Sequence, residues 1–189
     1  QAVQTRRLVD ASSARDLSAL DPEAIARVVA EARLEPRDAD ELHDLLLVHA
    51  ALPEVEGRDH GALFVELCGA GRAGLLVLGQ SRLWVAAERS ALWRVIAPDV
   101  ALEPACTQPA GVACGAATRE EALREIVRGR LEAVGPTSAV ELADALGLAE
   151  SDVEIGLLML EAEGFVLRGH YRPGAQGVEW CERRLLARI

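Results

Sequence analysis

Between residues 119 and 163 the apolar positions fall into three successive helical registers, each with its own stop signal. Ala122, Leu123, Ile126, Val127 and Leu131 recur three and four apart, so one stripe faces a core while arginines and glutamates face out. Gly135-Pro136 ends that helix. Ser138 with Glu141 predicts a capping box, which opens a shorter helix with the face Val140, Leu142, Ala143 and Leu146, stopped by Gly147. Val153, Ile155, Leu157, Leu158, Leu160 and Ala162 fill a third helix over 150–163, terminated by Gly164. The pattern then turns extended over 165–172, bends through Pro173-Gly174-Ala175-Gln176-Gly177 and returns along Val178-Glu179-Trp180. Three helices followed by a hairpin predict a winged helix-turn-helix.

The preceding segment repeats that order. Asp21 as N-cap, Pro22 and Glu23 open a helix to about Arg33 that buries Ile25, Val28 and Val29, and Glu35-Pro36 closes it. A second predicted capping box, Asp38 with Glu41, begins a helix carrying Leu42, Leu45, Leu46 and His49 or Ala50, closed near Pro53. A third helical stretch over 61–71 contains Leu63, Phe64 and Leu67. Two extended runs, 75–78 and 83–87, are joined by Gly79-Gln80-Ser81-Arg82, and 90–96 reads as a short helix with Leu92 and Trp93. A Trp stands on the last strand of each unit, which suggests a tandem repeat. The expected fold class is therefore mostly α with small β-hairpins (α+β), built as tandem winged helix-turn-helix domains. The expected layout is a linker or helical lead-in over 1–36, whose first twenty residues, with Leu8, Val9, Leu17 and Leu20 as their main apolar points, read as a linker or the tail of a preceding domain. A first winged unit follows over 37–97, a Pro/Gly-rich linker over 98–117, a second unit over 118–180, and the start of a following helix over 181–189.

Composition narrows the function. Half of the 189 residues are hydrophobic, and no apolar run approaches the roughly 18 residues of a spanning helix, so the expectation is a cytoplasmic chain without membrane partners. Gln1 at the start and EWCERRLLARI stopping inside a helical pattern read as cuts from something longer. The net charge is −10 and all twenty basic residues are Arg, a choice attributed to codon bias; that acidity argues against indiscriminate nucleic-acid coating. Cys68, Cys106, Cys114 and Cys181 lack ligand spacing and read as ordinary reduced thiols. His43, His49, His60 and His170 are scattered and read as surface or satisfied side chains; Glu120-Glu121 and Glu161/Glu163 read as solvated helix faces. No metal site and no catalytic residue is expected.

The third helix of the second unit exposes Glu150, Ser151, Asp152, Glu154, Glu161 and Glu163, carboxylates that phosphates repel, so reading of the major groove is not expected from it. The first unit offers only Glu66 and then Arg72. Basic character follows the second hairpin: Arg168, His170, Tyr171 and Arg172, then Arg183, Arg184 and Arg188. These seven are the candidate nucleic-acid contacts, through phosphate or by stacking of a base on Tyr171. The competing reading pairs these arginines with the abundant glutamates or docks them on a neighbouring domain. Trp84, Trp93 and Trp180 sit in apolar patterns and are expected in the core or at domain interfaces.

The sequences RLWVAAER, EEALREIVRGRLEAVGPTSAVELADALGL and LEAEGFVLRG with EWCERRLLARI resemble the large helicase-related (Lhr) family of bacterial superfamily-2 DNA helicases. ARDLSALDPEAIARV and DADELHDLLL look like the same family, so the resemblance spans most of the chain in order. It implies a position beyond the ATPase core, in a C-terminal half containing winged-helix modules, and a parent that is an ATP-dependent 3′-to-5′ DNA helicase linked to DNA repair. ATP and Mg are implied for that parent alone, because this chain has neither a GxxxxGK[ST] loop nor a DExH box.

The resulting expectation is an accessory region that scaffolds the helicase domains of its own chain and contacts the backbone of single-stranded or tailed DNA. An alternative is an acidic tandem winged-helix module for protein interaction or homo-oligomerisation, without DNA binding. A weaker one, implied by the family's glycosylase-like C-terminal half, is support of base excision, for which no water-activating acid stands out.

Overall fold

A computed structural model describes residues 19–33, 35–109, 111 and 115–189. The apolar points Leu8, Val9 and Leu17 of the expected lead-in, and Cys114, lie outside the described residues. Helix α1 spans Pro22–Ala32, capped by the Asp21 carboxylate accepting from Glu23 N–H at 3.0 Å. Only Ala24 and Val28 of α1 are buried; Ile25 and Val29 stay half-open.

Helix α2 spans Ala39–His49, and Asp38 accepts from Glu41 N–H at 2.9 Å. The return half of the expected capping box slips by one residue, since Glu41 reaches the Arg37 N–H at 2.9 Å instead. The helix also stops before Pro53, because Ala50 adopts a left-handed φ of 59° and turns the chain. Freed from helix, Leu52–Pro53 forms strand β1, unanticipated in the pattern. Its proline is tolerated because the strand lies at the sheet edge. Short helix α3 (Glu54–Gly57) and one 3₁₀ turn lead into α4 (Gly61–Gly69). Strands β2 (Ala73–Leu78) and β3 (Ser81–Ala86) form a hairpin tighter than expected, with a two-residue loop at Gly79-Gln80 and Gly79 at φ 59°. The sheet order is β1-β3-β2. Helix α5 (Ser90–Ile96) follows.

In the second half α6 spans Arg119–Leu131 and α7 Ala139–Leu146; Thr118/Glu121 and Ser138/Glu141 form complete capping boxes. Gly147, at φ 67°, ends α7 in the expected way. Helix α8 spans Glu150–Ala162, β4 Val166–Gly169, β5 Glu179–Glu182 and α9 Arg183–Leu186. Three apolar positions assigned to buried faces are exposed: Val140, Ile155 and Leu158, the last by 53%. Each helix has a core on one side alone, filled by Leu142, Ala143 and Leu146 on α7 and by Val153, Leu157 and Leu160 on α8.

The two halves match in topology. Leu52 pairs with Trp84, which pairs on its other side with Leu75. Thr137 likewise bridges to Trp180, which pairs with Arg168. Each tryptophan is therefore flanked on both sides: Trp84 by β1 and β2 in a three-stranded sheet, Trp180 by β4 and by the single bridge at Thr137, the second sheet having only two strands. The tryptophans are core residues, as their apolar contexts suggested: Trp84 stacks on Phe64 with ring centroids 4.1 Å apart, and Trp93 Nε1 donates to Ala50 O at 3.2 Å.

One apolar cluster crosses between the halves, joining Leu83, Val85, Leu92 and Trp93 to Leu123, Ile126 and Leu146. Gly129 lets α6 approach the end of α2, since a Cβ there would lie 2.6 Å from Val48 O. Residues 97–109 are not a free tether: Leu102 is buried in this cluster and Glu103 exchanges two backbone hydrogen bonds of 2.8 Å with Leu75.

Candidate nucleic-acid interface

The seven predicted contacts lie on β4 (Arg168), in the loop to β5 (His170, Tyr171, Arg172), on α9 (Arg183, Arg184) and just beyond it (Arg188). Two of them belong to a polar knot. Glu179 opens β5 only 1% exposed, and its Oε2 accepts from Tyr171 N–H at 2.7 Å and Arg172 N–H at 2.8 Å. Its Oε1 takes the Nε–H of Arg172. The remaining edge of that guanidinium donates to both Glu141 oxygens, at 2.9 and 2.6 Å. Glu141 thus closes the α7 capping box and anchors the β4–β5 loop at once. Arg172 and the Ser138 backbone and hydroxyl donors hold its carboxyl well below the usual range, at about 2. The same two glutamates drive the Arg172 pKa upward. With both edges of the fork in use, Arg172 has little left to offer a phosphate.

The other hairpin residues are also occupied. Arg168 pairs with Glu161 at 3.3 Å and lies over the Trp180 ring, 5.5 Å from its centroid. His170 donates from Nδ1 to Gly177 O at 2.8 Å, closing the wing loop. Tyr171 is half-buried against a small cluster containing Val28, Cys181 and Leu185, and its carbonyl accepts from Leu20 N–H at 2.8 Å. Burial pushes its phenol upward. The ring also lies over Gly169, where a Cβ would meet it at 2.8 Å, so one face is already covered.

Helix α9 differs. Its N-cap Glu182 accepts from Leu185 N–H at 2.8 Å, which holds the helix against β5. Arg188 pairs with Glu31 of α1 at 2.9 Å. Arg183 and Arg184 are exposed and, among the described residues, form no ion pair. They border a shallow groove with Phe165 and Arg128, whose guanidinium lies 4.6 Å from the Phe165 centroid. Arg128 is shared with Glu125 and Glu163. The first unit places Arg72 against Asp40 at 2.6 Å, leaving its third helix without a free cation.

Two features of the folded chain escape the pattern. Arg128 was read only as part of a solvated face, though its i+3 relation to Glu125 on a helix beside the wing is a weak signal. His49 is neither surface-exposed nor satisfied: it is 5% exposed and its Nδ1 has no hydrogen-bond partner. Its place on the Leu42/Leu45/Leu46 stripe was the available clue. His43, by contrast, is buried and satisfied by Glu88 at 3.1 Å. Cys181 is a buried free thiol, pushed up to about 12 by burial and by Glu182 and Glu179. Among the described residues no group of three or more His, Cys, Asp or Glu is placed to hold a metal ion, and no helix is long and apolar enough to cross a membrane.

Comparison with models of known protein families and with curated proteins returns no match to this chain.

Proposed function

We propose that this chain is a tandem winged-helix accessory region of an Lhr-like DNA helicase, scaffolding the domains around the motor and touching the DNA backbone. The observation that carries the reading is the shared topology of the halves. In each, a helix, a short pairing segment (strand β1, or the single bridge at Thr137), further helices and a hairpin leave the tryptophan paired on both sides, the order a winged helix uses. The core that crosses between the halves suits a scaffold, because it fixes their relative placement. DNA contact falls to Arg183 and Arg184, the arginines of the candidate set that form no ion pair among the described residues, while Arg172 is a structural tie.

The test is fluorescence anisotropy of this chain on labelled single-stranded and 3′-tailed DNA over a salt series. Binding weakens with salt, and the double variant Arg183→Ala/Arg184→Ala lowers the log–log slope by about 1.4, two phosphates at about 0.7 each. Salt-insensitive binding, or an unchanged slope in that variant, removes the backbone contact.

A second reading, protein interaction without DNA, is favoured by the exposed face of α8. Ile155 and Leu158 lie open on the helix that in DNA-binding relatives of this architecture would meet the groove, with Glu154 and Glu161 beside them. Retention of a partner or a homo-oligomer that Leu158→Glu disperses, with no DNA retention at low salt, selects it.

A further inference from the structure

A cavity of about 310 Å³ opens where α1, the end of α2, α3 and the turn after α6 meet, away from the wing groove. Ile25 and Val29 of α1, Leu45 of α2, and Pro136 form apolar walls. Two buried polar side chains line it. His49 and Arg130 are each 5% exposed, and His49 Nδ1 and Arg130 Nε are buried without a hydrogen-bond partner. Native folds leave few such groups unpaired, and those that remain call for an explanation. Burial, reinforced by the charge of Arg130, lowers the His49 pKa to about 4, so at neutral pH the ring is an uncharged group able to donate or accept.

The electrostatics of the mouth are asymmetric. Glu56, the acid lining the cavity, is consumed by two hydrogen bonds from Arg130. Arg172 at the mouth is neutralised by Glu141 and Glu179. Arg33 is exposed at the mouth and, among the described residues, has no ion-pair partner. A chamber with apolar walls, the uncharged His49 ring and the unpaired Arg130 Nε–H inside, His60 on its lining and one available cation at its mouth matches a definite ligand chemistry.

We propose that this cavity binds a small organic anion, with a compact apolar or aromatic body between α1 and Pro136, a polar atom toward His49, and a carboxylate or phosphate on Arg33. The site shares Arg172 with the β4–β5 loop but is separate from the groove bordered by Arg183 and Arg184.

The test is an NMR titration of the whole 189-residue chain with benzoate, with thymidine 5′-monophosphate and with neutral benzyl alcohol, following the His49 ring and the Val29 and Ile25 methyls. One of the two anions gives saturable shifts at these residues; tighter benzoate assigns a carboxylate, tighter nucleotide a phosphate monoester. Arg33→Ala weakens that binding roughly fivefold, the upper end for an exposed ion pair, and leaves the fold intact. Ala133→Trp, which fills the chamber, abolishes it. Absence of shifts at these residues up to about 10 mM probe, a range that reaches affinities near 3 kcal/mol, overturns the proposal. Equal affinity for benzyl alcohol, or unchanged affinity in Arg33→Ala, overturns the anion site.

Discussion

Arg130 of α6 donates from Nη1 to Oε2 of Glu56 at 2.9 Å, with a second bond from Nη2 to Oε1, joining residues 74 apart in sequence. The arginine is buried and the glutamate only partly open, so the pair welds the second half to α3. Glu56→Ala strands a buried guanidinium and is expected to destabilise the chain by about 3–5 kcal/mol. Replacing both, Glu56→Leu with Arg130→Met, restores most of that loss. Urea unfolding of the three proteins checks the order, and a single variant as stable as the parent would remove the weld.

Gly129 sits under the backbone of Val48 and His49, which cannot swing aside as a side chain does. Gly129→Ala is expected to cost about 1–3 kcal/mol through overpacking, despite the better helix propensity of alanine. Gly69, whose Cβ would meet nothing within 4 Å, is the control: Gly69→Ala leaves stability unchanged or slightly raised.

Glu179 holds the wing from inside. Glu179→Ala leaves the Tyr171 and Arg172 N–H groups without their acceptor, at about 1–3 kcal/mol for each that stays buried. Amide exchange over 169–179 should accelerate while α2 and α4 keep their protection. Uniform acceleration across the chain would refute a local role.

Acid should loosen the protein in two stages. The His49 pKa is about 4 folded against an ordinary 6.5, so the unfolded state takes up a proton first; stability falls as pH drops from 6.5 toward 4. The Glu141 pKa is about 2 folded against an ordinary 4.5, so its contribution is complete above 4.5 and is lost as pH falls toward 2. Thermal melts from pH 7 to 2 should show both slopes. His49→Phe removes the upper one, and Arg172→Ala shrinks the lower, leaving the share that Glu41, also held near 2 by Arg37, and the Ser138 donors contribute.

Much of the fold was legible because its signals are local. Asp21, Ser138 and Gly147 act within one turn of the backbone, so their helix ends follow from neighbouring residues alone. Strand β1 was not, since Leu52–Pro53 becomes a strand only by pairing with Leu83 and Trp84, some thirty residues on. Residues 98–109 read as linker from their prolines, and nothing local discloses that Glu103 lies against Leu75. The candidate contacts were located by type and order, but which of them are free was not. Arg172 and Arg183 look alike in sequence, and only the folded positions of Glu141 and Glu179 distinguish a tie from an available cation.

The apolar cluster that crosses the two halves also limits how this region could be inherited. Two units so alike in strand order invite the view of interchangeable beads, to be lost, copied or reshuffled one at a time. Leu123, Ile126 and Leu146 contradict that view, because they complete the first unit's core with side chains from the second. A chain that kept the first bead alone would leave Leu83, Val85 and Trp93 without the side chains that cover them, so neither unit is built to stand by itself.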